Sequence, residues 1–155
     1  MLGLIKKNWG GFALVAALSA GVAMVAIAQD AAVDKRTAAM KVAGASMKAL
    51  SGVAKGEQPF SADAVKAAEA LVAHSKLLPD LFKGGAPGKG SAAKAEIWSD
   101  WAGFEKASKT YQDAVPQIVP AAQSNEQAKL GDALKAVGGT CGGCHKPFKD
   151  DKKQE

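Results

Sequence analysis

The sequence predicts an all-α protein, an antiparallel four-helix bundle. Three observations carry that prediction. Proline and glycine clusters divide the chain into four long segments, each segment repeats apolar residues at steps of three, four and seven, and none alternates with the two-residue period of a strand. Composition agrees: the 48% hydrophobic fraction is dominated by alanine, and aromatics contribute only 6%. Such a balance suits helices filled by small side chains better than sheets built from β-branched and aromatic ones. At 155 residues the chain is the size of one domain with one core.

Ahead of the bundle, residues 1–28 read as an export signal. Lys6 and Lys7 precede an uncharged apolar run from Gly10 to Ala28, and Ala26-Ile27-Ala28 places small residues where a cleavage site needs them. The apolar run is also near the ~20 residues that span a bilayer, so an uncleaved anchor is the competing reading, and membrane attachment depends on it. Cleavage after Ala28 gives a mature domain of residues 29–155 in an exported, periplasmic setting. Without Lys6 and Lys7 the 20 basic residues become 18 against 15 acidic ones, a formal charge of +3. These basic residues are scattered over the chain, which gives no nucleic-acid footprint.

In the first bundle segment Val33, Met40, Ala43, Met47, Leu50 and Ala54 form one stripe, with Lys35, Lys41 and Lys48 off it. The second opens on Ser61 as N-cap with Asp63 in the first turn. It continues through Val65, Ala68, Leu71, Val72, Ser75 and Leu78 to Pro79, leaving His74 beside the stripe at the boundary of the core. Residues 84–90, rich in glycine, form a loop; no Gly-Lys-Ser/Thr follows and no strand precedes it, so a phosphate cradle is excluded. The third segment runs Ile97, Trp101, Phe104, Ser108, Tyr111, Val115 and Ile118, with Pro116 and Pro120 breaking or kinking its end. The fourth starts from Ser124-Asn-Glu-Gln127, which fits a capping box, and continues through Leu130, Leu134, Val137, Cys141 and Cys144. Pro147 is expected to kink or stop this helix before Phe148 and Lys149.

The chemistry-bearing motif is Cys141-Gly-Gly-Cys144-His145. Two thiols adding to the two vinyl groups of a haem form thioethers, and the iron then takes an axial nitrogen from the histidine beside the second attachment point. On a helix, positions 141, 144 and 145 share one face. A structural zinc needs four ligands, and the chain has two cysteines and two histidines, with His74 far away in sequence. A thioredoxin-like pair needs a βαβ setting, and a disulfide alone leaves His145 unexplained. The expected cofactor is therefore one covalent haem c, with His145 as proximal ligand.

Four stretches then resemble the class II c-type cytochromes, the group of cytochromes c' and low-spin c-556. They are Arg36-Thr-Ala-Ala-Met40-Lys41, Lys55-Gly-Glu-Gln-Pro-Phe60, Glu96-Ile-Trp98-Ser-Asp100, and Val137-Gly-Gly-Thr-Cys141-Gly-Gly-Cys144-His145-Lys-Pro-Phe148-Lys149. The resemblance covers nearly all of the mature chain, and only the last stretch is specific by itself. It implies that Met40 occupies the distal position, as sixth ligand in the low-spin branch or as a bystander in five-coordinate c' proteins. The surroundings of Met40 resemble the low-spin branch more closely, which favours ligation over its alternative role as a core filler; Met47 is the fallback ligand, with packing its first role. Arg36 and Lys149 match basic positions near the haem, with a solvated surface charge the equal alternative for each, and Trp98, Trp101 and Phe104 are core aromatics or pocket walls.

The resulting expectation is a monohaem electron carrier with His145 and Met40 as axial ligands, and not an enzyme. The alternative is a five-coordinate protein that binds NO or CO. Partners on the first reading are a redox donor and an acceptor that no visible motif identifies. Homodimers are common in the resembled family, but no interface is legible.

Overall fold

The structure is a computed structural model that describes residues 12–152, with side chains described from Ala28 onward. Helix α1 spans Phe12–Ala54, α2 Ala62–Phe82, α3 Glu96–Ser99, α4 Trp101–Ala114, α5 Ile118–Gln123 and α6 Gln127–Phe148, with a 3-10 turn Val115–Gln117 between α4 and α5. Together α1, α2, the α3–α5 series and α6 make the four rods of a bundle. Among the described residues there is no strand, only one antiparallel bridge between Ala93 and Lys149. The expected export segment falls on residues 1–28, and nearly all its side chains lie outside the described ones. Among the described residues no helix is long and apolar enough to cross a membrane.

Gly56 takes a positive φ of 76° and turns the chain after α1, a conformation that favours glycine because it has no Cβ. Ser61 then caps α2, its hydroxyl accepting the Ala64 N–H at 3.4 Å. Pro79 sits inside α2 without ending it, and the helix reaches Phe82, one turn beyond the sequence expectation. The third rod is broken earlier than expected, at Asp100, whose backbone leaves helical space and whose carboxylate caps α4 by accepting the Gly103 N–H. Pro116 lies in the 3-10 turn and Pro120 in the first turn of α5, where a missing N–H costs no intrahelical bond.

The expected capping box at 124–127 does not form. Asn125 adopts φ 56°, which asparagine tolerates, so Ser124 is turned away from the helix start. Its hydroxyl instead accepts the N–H of Glu126, and Glu126 becomes the N-cap with no side-chain cap of its own. Nor does Pro147 stop α6: it lies in the last turn, Phe148 completes the helix, and the Lys149 N–H closes it on the His145 carbonyl.

The core runs along the bundle axis through Leu50, Leu71, Phe104, Val115, Ile118, Leu130 and Val137, all buried. Phe104 is its hub at the end nearest the Cys-His motif. Its ring centroid lies 5.0 Å from Phe82, 5.3 Å from Trp101 and 5.5 Å from Phe148. Phe104→Ala is therefore expected to destabilise the fold by about 3–5 kcal/mol, the range for removing a buried phenyl ring. Chemical denaturation, comparing midpoints at constant slope, measures it.

Candidate functional site

Helix α6 buries Leu130, Leu134, Val137 and Phe148, and the same stripe carries Cys141 and Cys144, both half-buried against the core. The two cysteines form no disulfide with each other. Burial pushes the Cys144 thiol up to about 11, with Cys141 adding to the effect, and burial likewise raises Cys141 against a smaller opposing backbone hydrogen bond. His145 lies on the exposed side of the same turn. Partial burial and then the Lys149 ammonium lower its basicity, with Asp151 opposing. The neutral imidazole is the form that ligates a metal, and this lowering favours it.

Two levels of cross-helix contacts fix the register around the motif. At the first, the Arg36 guanidinium of α1 stacks 5.3 Å from the Phe82 ring and 5.4 Å from Trp98, and Phe82 leads through Phe104 to Phe148 on α6. At the second, His74 of α2 meets Tyr111 of α4, and Cys141 of α6 packs against the same core cluster. Cys144 and His145 fall between these levels on α6. Met40, one turn after Arg36, falls beside the first level on α1, half-buried against the core, and Met47 is half-buried two turns further on.

The end of α6 after His145 is fastened by the 83–95 connection. The Lys94 N–H donates to the Phe148 carbonyl at 3.0 Å, the Asp150 N–H to the Ala92 carbonyl at 2.8 Å, and Lys94 Nζ to the Lys146 carbonyl at 3.3 Å. Trp98 Nε1 donates to the Phe82 carbonyl at 2.8 Å and holds the aromatic wall in place.

These surroundings fit a flat apolar group with acidic substituents. Gly44 of α1 and Gly138, Gly139 and Gly143 of α6 face solvent, and a Cβ added at any of them meets nothing within 4 Å. Arg36 is 5% exposed and donates through Nε to the Ala32 carbonyl and through Nη2 to that of Ala86, while its buried Nη1 has no protein partner. A buried cation with a spare donor is a receptor for an anionic substituent. Among the described residues no three His, Cys, Asp or Glu side chains gather as a protein-only metal centre.

Three features differ from the sequence reading. Arg36 is a buried stacking residue rather than a solvated charge. His74 is 6% exposed, inside the core and not at its boundary. Its spacing of three after Leu71 and four before Leu78 is the signal that places it there. Lys149 is turned toward Asp151, with Nζ 3.5 Å from that carboxylate.

A family model described as Cytochrome C' matches residues 31–149. The chain is 40% identical over 122 residues to the cytochrome c' of Pararhodospirillum photometricum, covering 78% of this chain and 98% of the relative. It is 41% identical over 119 residues to a cytochrome c-556 of Agrobacterium fabrum, covering 76% and 80%. Among solved structures, a ferrous variant of cytochrome c prime from Alcaligenes xylosoxidans with bound NO superposes with a TM-score of 0.70 at 30% identity, over 79% of this chain and 96% of that one.

Proposed function

The chain belongs to the cytochrome c' family of class II c-type cytochromes and carries one covalent haem c, and on that premise we propose that it is a six-coordinate monohaem electron carrier of the periplasm. In this reading Cys141 and Cys144 form the two thioethers, His145 is the proximal ligand and Met40 the distal one. The observation that carries it is Met40 itself: a thioether on α1, half-buried against the core and one turn after the buried Arg36.

When bound, the haem supplies a one-electron couple at its iron. Every other part of the function belongs to side chains. His145 and Met40 would hold the iron in both oxidation states, which would keep ligand motion small during electron transfer. Arg36 offers Nη1 to an acidic substituent, and its stacking on Phe82 and Trp98 keeps that donor rigid. The ring wall of Phe82, Trp98, Phe104 and Phe148 excludes water from this end of the core, which strengthens local electrostatics.

A second reading, a five-coordinate protein that binds NO or CO, is favoured by the NO-bound structural relative and by the several relatives named cytochrome c'. There Met40 is a packing residue. One experiment separates the two readings. The carrier gives a sharp α-band on reduction and no spectral change on adding carbon monoxide; a broad high-spin spectrum with ready carbon monoxide binding overturns it. The mature protein of this reading is residues 29–155, with no catalytic role, exchanging electrons with a protein donor and acceptor. A homodimer belongs to this reading as what the family resemblance implies; Val42 and Leu77 are exposed large apolar side chains on α1 and α2.

A further inference from the structure

One titratable group inside the bundle has no part in holding the haem. His74 is 6% exposed on α2, Tyr111 is 5% exposed on α4, and His74 Nδ1 lies 3.0 Å from the Tyr111 hydroxyl. The rings meet edge to face with centroids 5.6 Å apart. His74 Nε2 is buried with no protein partner, and so is Ser108 Oγ, one turn before Tyr111 on α4. The backbone around the pair is tied as well, since Gln112 Nε2 donates to the Ser75 carbonyl at 3.0 Å.

We propose that His74 is a redox-linked proton site: when the protein accepts an electron, His74 takes up one proton at its free nitrogen, and it releases that proton on oxidation. The proposal rests on the carrier reading and extends it from the iron's ligands to a group one contact beyond Cys141. In the balanced step, one electron arrives from the redox donor at the iron and one proton arrives from bulk water at His74, so the buried layer keeps its net charge. Tyr111 fits both states of the pair. Its hydroxyl oxygen accepts Nδ1–H of the neutral imidazole, the tautomer that leaves Nε2 free to take the proton, and goes on accepting Nδ1–H of the imidazolium. The bond thus persists while the charge changes, and His74 acts as a positioning residue for electron transfer rather than as a ligand.

The charged surroundings do not interfere. From α4 the titratable group facing His74 is Tyr111, which borders Cys141 of α6; Ser108 and Gln112 are uncharged. The α1 side chains at this height, Met40, Ala43 and Met47, carry no charge. Burial lowers the basicity of His74. The proton is consequently bound below the usual histidine value of 6.5, and the linkage operates on the acid side of neutrality.

The test is the reduction potential of the holoprotein as a function of pH, with the absorption spectrum recorded at each point. A flat potential above about pH 6.5 that rises as pH falls below it is expected. In His74→Gln the rise should be lost with the low-spin spectrum unchanged, whereas Tyr111→Phe should displace the window without abolishing it. Nitrogen-15 NMR of the wild-type His74 ring needs no variant: it should titrate at higher pH in the reduced than in the oxidised protein. Equal titration in both oxidation states, or a pH-dependent potential that survives in His74→Gln, overturns the proposal. A high-spin spectrum at every pH instead removes the carrier reading and is recognised separately.

Discussion

Replacing Met40 with alanine is expected to convert a low-spin haem to a high-spin one, lower the reduction potential and open the iron to carbon monoxide. Loss of the thioether removes the ligand that favours the reduced state, and the truncation also leaves a gap in the core. For a half-buried methionine that gap costs about 2 kcal/mol, the low end of the range for methionine to alanine. Stability and ligation therefore change together in this variant, and Met40→Leu separates them. Leucine keeps the volume, at a cost below about 1.5 kcal/mol, yet offers no sulfur. If Met40→Leu becomes high-spin while its denaturation midpoint barely moves, the sulfur is a ligand. If both variants keep the wild-type spectrum, Met40 is a packing residue and Met47 becomes the sulfur to test.

The second large effect concerns attachment. Cys141→Ala with Cys144→Ala is expected to abolish covalent haem, so that all haem extracts into acidified organic solvent while the wild-type haem stays with the polypeptide. The two cysteines form no disulfide with each other, so replacing them removes no cross-link between parts of the chain. Stability without haem should therefore fall only by the packing lost at two half-buried positions. Either single variant should retain one thioether and a haem that resists extraction. The intact mass of the exported protein gives the count directly: residues 29–155 plus one haem for the wild type, and the polypeptide alone for the double variant.

Much of the architecture is legible because helical period is written in spacing. The stripes through Leu50, Leu71, Phe104 and Val137 all point inward as their intervals of three and four require. Cys141 and Cys144 extend the α6 stripe for the same reason. What escapes the pattern is decided by tertiary context or by a single backbone angle. The 124–127 capping box fails on the φ of Asn125, which no side-chain pattern reveals. Asp100 breaks the third rod because its carboxylate caps α4, an option that competes with continuing the helix. Arg36 reads as a surface charge until Phe82 and Trp98, about fifty residues later, close over it. His74 reads as a boundary residue because a polar side chain beside a stripe is usually solvated, and only the Tyr111 hydroxyl on another helix makes its burial tolerable.

Among the site residues, the motif at 141–145 is legible because its chemistry needs three side chains at fixed spacing. Met40 is less so, since a methionine on a buried face fills gaps as readily as it binds iron. The ligand opposite His145 is consequently where the functional reading is most exposed to test. Electron paramagnetic resonance of the ferric protein at neutral pH addresses it in one measurement. Ligation by His145 and Met40 predicts a low-spin ferric signal, lost in Met40→Leu; an axial high-spin signal from the wild-type protein contradicts it.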